Sequence, residues 1–206
     1  MKTLTDIFND YKVNVYHSQE SYYDWYRKTD NLRCAIHKAF LSKNEQGKVE
    51  SHQRRVGCKV LGKAAEIALE QFDTLCINNL NTFNSIYQFV NSVCAEVEGF
   101  GLLATYDVSL RIAKYQGCDI YEVYCHAGVT VGARALGFDV KDRQTITVDK
   151  FPTPLNQLSG DHLENLLCIY KDVLANTTIE VNETCVRPTK QYQVAKESTR
   201  HCCSMK

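Results

Sequence analysis

Val97-Glu-Gly-Phe-Gly-Leu-Leu-Ala-Thr-Tyr-Asp-Val-Ser-Leu-Arg-Ile112 is the stretch on which the fold turns. Gly99-Phe100-Gly101 separates two apolar runs of helical period. Two glycines around one apolar residue permit a tight turn that most side chains forbid. Phe100 is placed to pin that turn into a core. The backbone N–H groups of Gly101 and Leu102 then stand at a helix N-terminus, where a phosphate is bound without regard to base sequence.

Helical periodicity continues on both sides. Apolar positions predict helices over 20–41, 54–73 and 75–96 before the turn, with a polar loop at 42–53. After it, helices are expected over about 102–115 (ended by Gly117), 127–136 (closed by Gly137) and 161–174. Asp119 with Glu122 fits one more capped helical turn. A short strand is expected at Thr145–Val148. The fold class is therefore mainly α: a single helical domain over 1–186 with little or no β. Residues 187–206 read as a mobile polar tail.

Composition narrows the function classes. The chain has 206 residues, 24 Lys+Arg against 24 Asp+Glu, and 44% hydrophobic residues, which excludes a disordered chain. No apolar run is long enough to span a membrane, and no secretory signal is evident at the start, so a cytoplasmic location is expected. The zero net charge hides an asymmetry. Ten Lys/Arg and three acids lie between Arg27 and Lys63, while Ala64–Phe100 holds five acids and no Lys or Arg. A basic segment of this kind is either an electrostatic footprint for a polyanion or one half of a self-cancelling pair of elements. The ten cysteines form no C-x-x-C pair, so no zinc ribbon or redox motif is indicated. Cys58, Cys76, Cys94 and Cys168 read as apolar-face residues. His201-Cys202-Cys203 lacks a second ligand pair, and no metal or cofactor is expected.

The central segment resembles a helix-hairpin-helix motif in Val97, Gly99, Phe100, Gly101, Ala104 and Leu110. The likeness extends to the DNA glycosylases built on that motif. Val123-Tyr124-Cys125-His126 and the helix after it resemble those enzymes' hydrophobic-Asp-Thr-His segment, so residues of about 55–175 look like the glycosylase-type domain. The resemblance implies a DNA partner, held by its duplex backbone. It also implies that glycosylase chemistry is lost. Tyr124 stands at the catalytic aspartate position, and Leu102 and Leu103 stand where bifunctional members carry a lysine. Tyr106-Asp107, Leu110-Arg111-Ile112 and His126-Ala127-Gly128 are also similar to segments of uncharacterised bacterial proteins, a likeness that implies no activity.

Candidate site residues follow. For nucleic acid they are Gly99, Phe100, Gly101 and Leu102, with Arg54 and Arg55 as phosphate contacts and Gln53 as a reader of a base edge. Tyr22, Tyr23, Trp25 and Tyr26 are either stacking surfaces for bases or core. An alternative is an enzyme of unknown reaction. There Asp107 and His126 form an acid–base pair in a pocket with Arg111, Tyr124 and Arg134. Asp107 and Arg111 are spaced i,i+4, which equally suits a salt bridge. A third reading is an interaction or oligomerisation module in which the hairpin only packs.

Overall fold

Thr3 and Asp6 cap each other's backbone N–H groups, and that reciprocal pair starts α1 (Leu4–Tyr11). The structure is a computed structural model that describes residues 2–74 and 80–177, the side chain of His52 excepted. From α1 the chain runs on through a π-helical segment, Lys12–Tyr16, into α2 (His17–Arg27). Then follow α3 (Leu32–Leu41), α4 (Cys58–Thr74), α5 (Phe83–Ala95), α6 (Leu102–Gln116), β1 (Glu122–Tyr124), α7 (Ala127–Ala135), β2 (Thr145–Thr147) and α8 (Gly160–Leu174). The chain is mainly α. Among the described residues the strands form one two-stranded antiparallel sheet, with Val123 opposite Ile146 and Tyr124 opposite Thr145.

Several expected boundaries move. The helix expected over 20–41 is two, because the Asn31 side chain accepts the Cys34 N–H at 2.9 Å and opens α3 afresh. The helix expected from Arg54 starts at Cys58. Arg54 and Arg55 lie in the preceding turn. The helix expected over 75–96 begins at Phe83, with Thr82 and Ser85 capping each other, and residues 75–79 lie outside the described residues. The polar loop 42–53 contains a bridge, Lys43 to Val49, and one 3-10 turn, Ser51–Gln53. The capped turn expected at Asp119–Glu122 is not formed. Glu122 pairs with Thr147 instead, and the Val148 N–H donates to the Tyr121 carbonyl at 2.9 Å, so long-range strand pairing overrides the local signal. Cys58 is exposed, whereas Cys94 is buried. Cys76, the tail 187–206 and His201-Cys202-Cys203 lie outside the described residues.

Two apolar clusters form the core. The first gathers α2 to α6 around Ile36, Phe40, Ile86, Val90 and Ile112. The second gathers α1, the sheet, α7 and α8 around Ile7, Val123, Ile146, Leu163 and Leu167. Successive residues of β1 divide between them, Val123 packing in the second and Tyr124 against the first. Within the second cluster α7 lies close on α8 because Gly128 and Gly132 face it. A β-carbon at Gly132 would fall 2.4 Å from the Leu167 carbonyl oxygen, so only glycine fits this approach.

Candidate functional site

A turn at Gly99–Gly101 joins α5 to α6. Gly99 sits at φ +91°, a left-handed conformation that disfavours any residue with a β-carbon. The Phe100 N–H bonds back to the Val97 carbonyl at 3.4 Å, and the Phe100 ring packs at 6.1 Å from Phe40. Gly101 is the N-cap of α6, and no side chain caps that end. Gly99 and Gly101 are both exposed, with open space beside each α-carbon. The first N–H groups of this four-turn helix are thus left without a side-chain partner. Glu96 and Glu98 are also exposed just before the turn, and Gln71 holds Glu96 at 2.6 Å.

Arg54 and Arg55 are exposed. Gln53, expected to reach a base edge, is fully buried. Its amide nitrogen donates to Asp107 and its carbonyl accepts from Arg111 at 3.0 Å. The i,i+4 pair on α6 is therefore joined through Gln53. Arg111, expected in a pocket, is a core residue. Its guanidinium also donates to the Tyr22 hydroxyl at 2.7 Å, the Ser42 hydroxyl at 2.8 Å and the Ala39 carbonyl at 3.3 Å. Burial works against its charge, but the tyrosines and Asp107 outweigh that, and its pKa is raised. Tyr23 and Tyr26 are buried and Tyr22 and Trp25 half-buried, so the aromatic cluster is mainly core. Arg134 is exposed and holds the next turn by donating to the Val140 carbonyl at 2.8 Å.

His126 and Tyr124 do meet in one place, a cleft of about 110 Å³. It lies at the seam of the two core clusters, with Tyr87, Tyr106, Arg143 and Thr145 also among its walls. The ring of Tyr124 lies 5.3 Å from Tyr87 and 5.4 Å from Tyr106. His126 is the N-cap of α7, and its Nε2 pairs with Glu164 of α8 at 2.5 Å. Asp107 makes no hydrogen bond to His126 among the described residues, so the expected acid–base pair is not formed. The partner of His126 is Glu164, a residue the sequence does not single out. Burial depresses the His126 pKa, but the Glu164 hydrogen bond and charge outweigh it and the net direction is upward. Burial also raises Glu164, which His126 only partly reverses. Cys125 lines the cleft as an inert thiol, pushed up to about 12 by burial.

A second polar cluster, also unread in the sequence, joins α2 to α8. His162 Nε2 meets Glu20 at 2.8 Å and its Nδ1 meets the Tyr11 hydroxyl at 2.8 Å. Glu20, Asp161 and His162 are close enough to share a cation. The Lys114 ammonium already supplies that charge, 2.7 Å from the buried Asp161 carboxylate, so the trio reads as an ion-pair cluster. Burial lowers the His162 pKa. Glu20 is also lowered: burial raises it, but bonds from His162 and Arg27 prevail. Both depressed values give stability that is present above the unfolded pKa and is lost as pH falls through the folded one. The share of stability that His162 contributes is expected to decrease from about pH 6.5 downward in urea melts, against the opposite contribution of His126, whose raised pKa adds stability as pH falls. His162→Gln should flatten that slope, and an unchanged slope would remove His162 from the account.

Comparisons with protein-family models, with curated proteins and with solved structures found no match for this chain. No helix among the described residues is long and apolar enough to cross a membrane.

Proposed function

We propose that this protein binds the sugar–phosphate backbone of DNA through Gly99–Leu102, without base-sequence preference and without glycosylase chemistry. The observation that carries this reading is the exposed, uncapped N-terminus of α6 behind a glycine turn. Unsatisfied N–H groups and the helix dipole together favour an anion there. Arg54 and Arg55 add to it. They follow Gln53, which is bonded to Asp107, six residues or about 9 Å along α6 from Gly101. Glu96 and Glu98 oppose it and keep the expected affinity modest. Tyr124 in place of a carboxylate, with its hydroxyl pKa raised by burial, supports the loss of glycosylase chemistry.

Gly101→Asp tests the reading. The backbone at Gly101 is extended (φ −93°, ψ 169°), which aspartate adopts without strain. Aspartate also caps the helix, so stability should hold or rise by up to about 1 kcal/mol. Its carboxylate occupies the phosphate position, so affinity for labelled duplex DNA should fall by about 100-fold or more. Fluorescence anisotropy over a salt series measures this. Replacing Arg54 and Arg55 together by glutamine should lower the slope of log affinity on log salt by about two. No binding of duplex or single-stranded DNA at low salt would end the proposal.

A further inference from the structure

His126 and Glu164 form a pair that the hairpin reading does not use. The pair joins the start of α7 to α8, and His126 is part of the cleft wall. The imidazole is 13% exposed and the carboxylate 12%, so both are largely withdrawn from water yet still reached by it. One ring nitrogen, Nε2, is taken by Glu164 at 2.5 Å. The other, Nδ1, has no hydrogen-bond partner among the described residues, and it is not one of the unpartnered side-chain atoms that are shut off from solvent. With Glu164 ionised, Nε2 carries the ring proton and Nδ1 keeps its lone pair. A carboxylate that fixes the tautomer of an imidazole, with the second nitrogen open to water, is the arrangement of a general base. A cleft of about 110 Å³ holds several waters on which such a base can act.

Two further features select the reaction and its substrate. His126 is the N-cap of α7, and no side chain caps the first N–H groups of that helix. The positive end of a helix favours the oxygen that turns negative when an acyl carbon is attacked. The charges around the imidazole decide what is attacked. Glu164, Asp107 and Asp142 all act on it, and Glu122 is on the cleft wall, against one arginine of that wall, Arg143. Acids outnumber cations, so a doubly charged phosphate ester is repelled and an uncharged ester is admitted. We propose that this cleft hydrolyses small uncharged carboxylic esters, with His126 as the catalytic base and Glu164 as its positioning residue. A water gives a proton to Nδ1 while its oxygen bonds to the acyl carbon. The bond from that carbon to the leaving oxygen then breaks, and the proton on Nδ1 passes to that oxygen. The products are a carboxylic acid and an alcohol. This inference is independent of the DNA-binding proposal.

Release of 4-nitrophenolate from 4-nitrophenyl acetate tests it, with free imidazole at the same concentration as the comparison. The wild-type protein should be faster than imidazole by about 100-fold or more. Burial lowers the His126 pKa and Glu164 raises it by more, so the rate should be full above that raised value and lost as pH falls through it. His126→Asn keeps a good N-cap for α7 and should bring the rate down to that of solvent, while any contribution from the other histidines would persist. Glu164→Gln keeps an acceptor for the Nε2 proton but removes the charge. Its pH limb should move down by about one unit and its plateau fall by about tenfold or more. A wild-type rate no higher than that of imidazole overturns the inference, and that comparison stands whether or not a variant folds. So does activity that survives in folded His126→Asn, or a pH limb that folded Glu164→Gln leaves in place.

Discussion

Arg111→Ala is expected to destabilise the protein by about 3–5 kcal/mol, a large share of a typical domain's 5–15. The guanidinium is 4% exposed and serves four acceptors on three separate parts of the chain: Tyr22, Ala39 and Ser42, and Gln53. Its removal leaves Ser42 and Gln53, both fully buried, without their charged donor. It also leaves the Asp107 carboxylate bonded to an amide that is itself short of a partner. Unmade bonds of this kind cost more than made ones contribute. Ser42 adds to the loss, since it holds φ +52° at the end of α3 and the Arg111 bond helps fix it there. Gln53→Ala should cost less, about 2 kcal/mol, because Arg111 keeps three acceptors. Chemical denaturation measures both. A loss below about 1 kcal/mol for Arg111→Ala would show the network to be energetically idle.

Gly132→Ala is the second large effect, expected at about 2–4 kcal/mol. Alanine is the better helix former by roughly 1 kcal/mol, so an isolated α7 would gain from it. The contact with α8 reverses the sign. The added methyl meets the Leu167 carbonyl oxygen at 2.4 Å and the carbonyl carbon at 2.9 Å, both backbone atoms that cannot rotate away. The helices must separate, and overpacking of this kind costs about 1–3 kcal/mol or more. The damage reaches the cleft, because the same approach brings His126, at the start of α7, to Glu164 of α8. Thermal melts read the stability. The His126 imidazole resonances read the separation, and wild-type melting with an undisturbed His126 would refute the argument.

How legible the molecule is in its sequence depends on the range of the interaction. The turn at Gly99–Gly101 and the helices beside it are local, and the residues that form them are adjacent. The break before α3 and the cap of α1 were also local and could have been found: Asn31 stands three before Cys34, and Thr3 three before Asp6. β1 is hidden in the sequence because Asp119 and Glu122 satisfy a helical cap by themselves, while their competitor, Thr145–Thr147, lies more than twenty residues on. His126–Glu164 spans 38 residues and Gln53–Asp107 spans 54. No periodicity marks such pairs, since nothing in one partner's neighbourhood depends on the other. The burial of Arg111 is hidden for the same reason. A charged residue on a helix reads as accessible until its burying partners, from α2, α3 and the turn before α4, are known.

The π-helical segment Lys12–Tyr16 bears on how this protein tolerates change. A π turn carries about one residue more than an α turn. That surplus sets the phase between α1, whose Leu4, Ile7 and Tyr11 enter one core cluster, and α2, whose Tyr23 enters the other. Its own side chains are not fully buried. At the exposed Val13 identity is consequently cheap and count is not: exchanging Val13 for another residue leaves the phase intact. Deleting it rotates everything upstream by about 100° and turns the apolar stripe of α1 off its seat. At Val13 and Asn14 what must be kept is a number of residues rather than a choice of them.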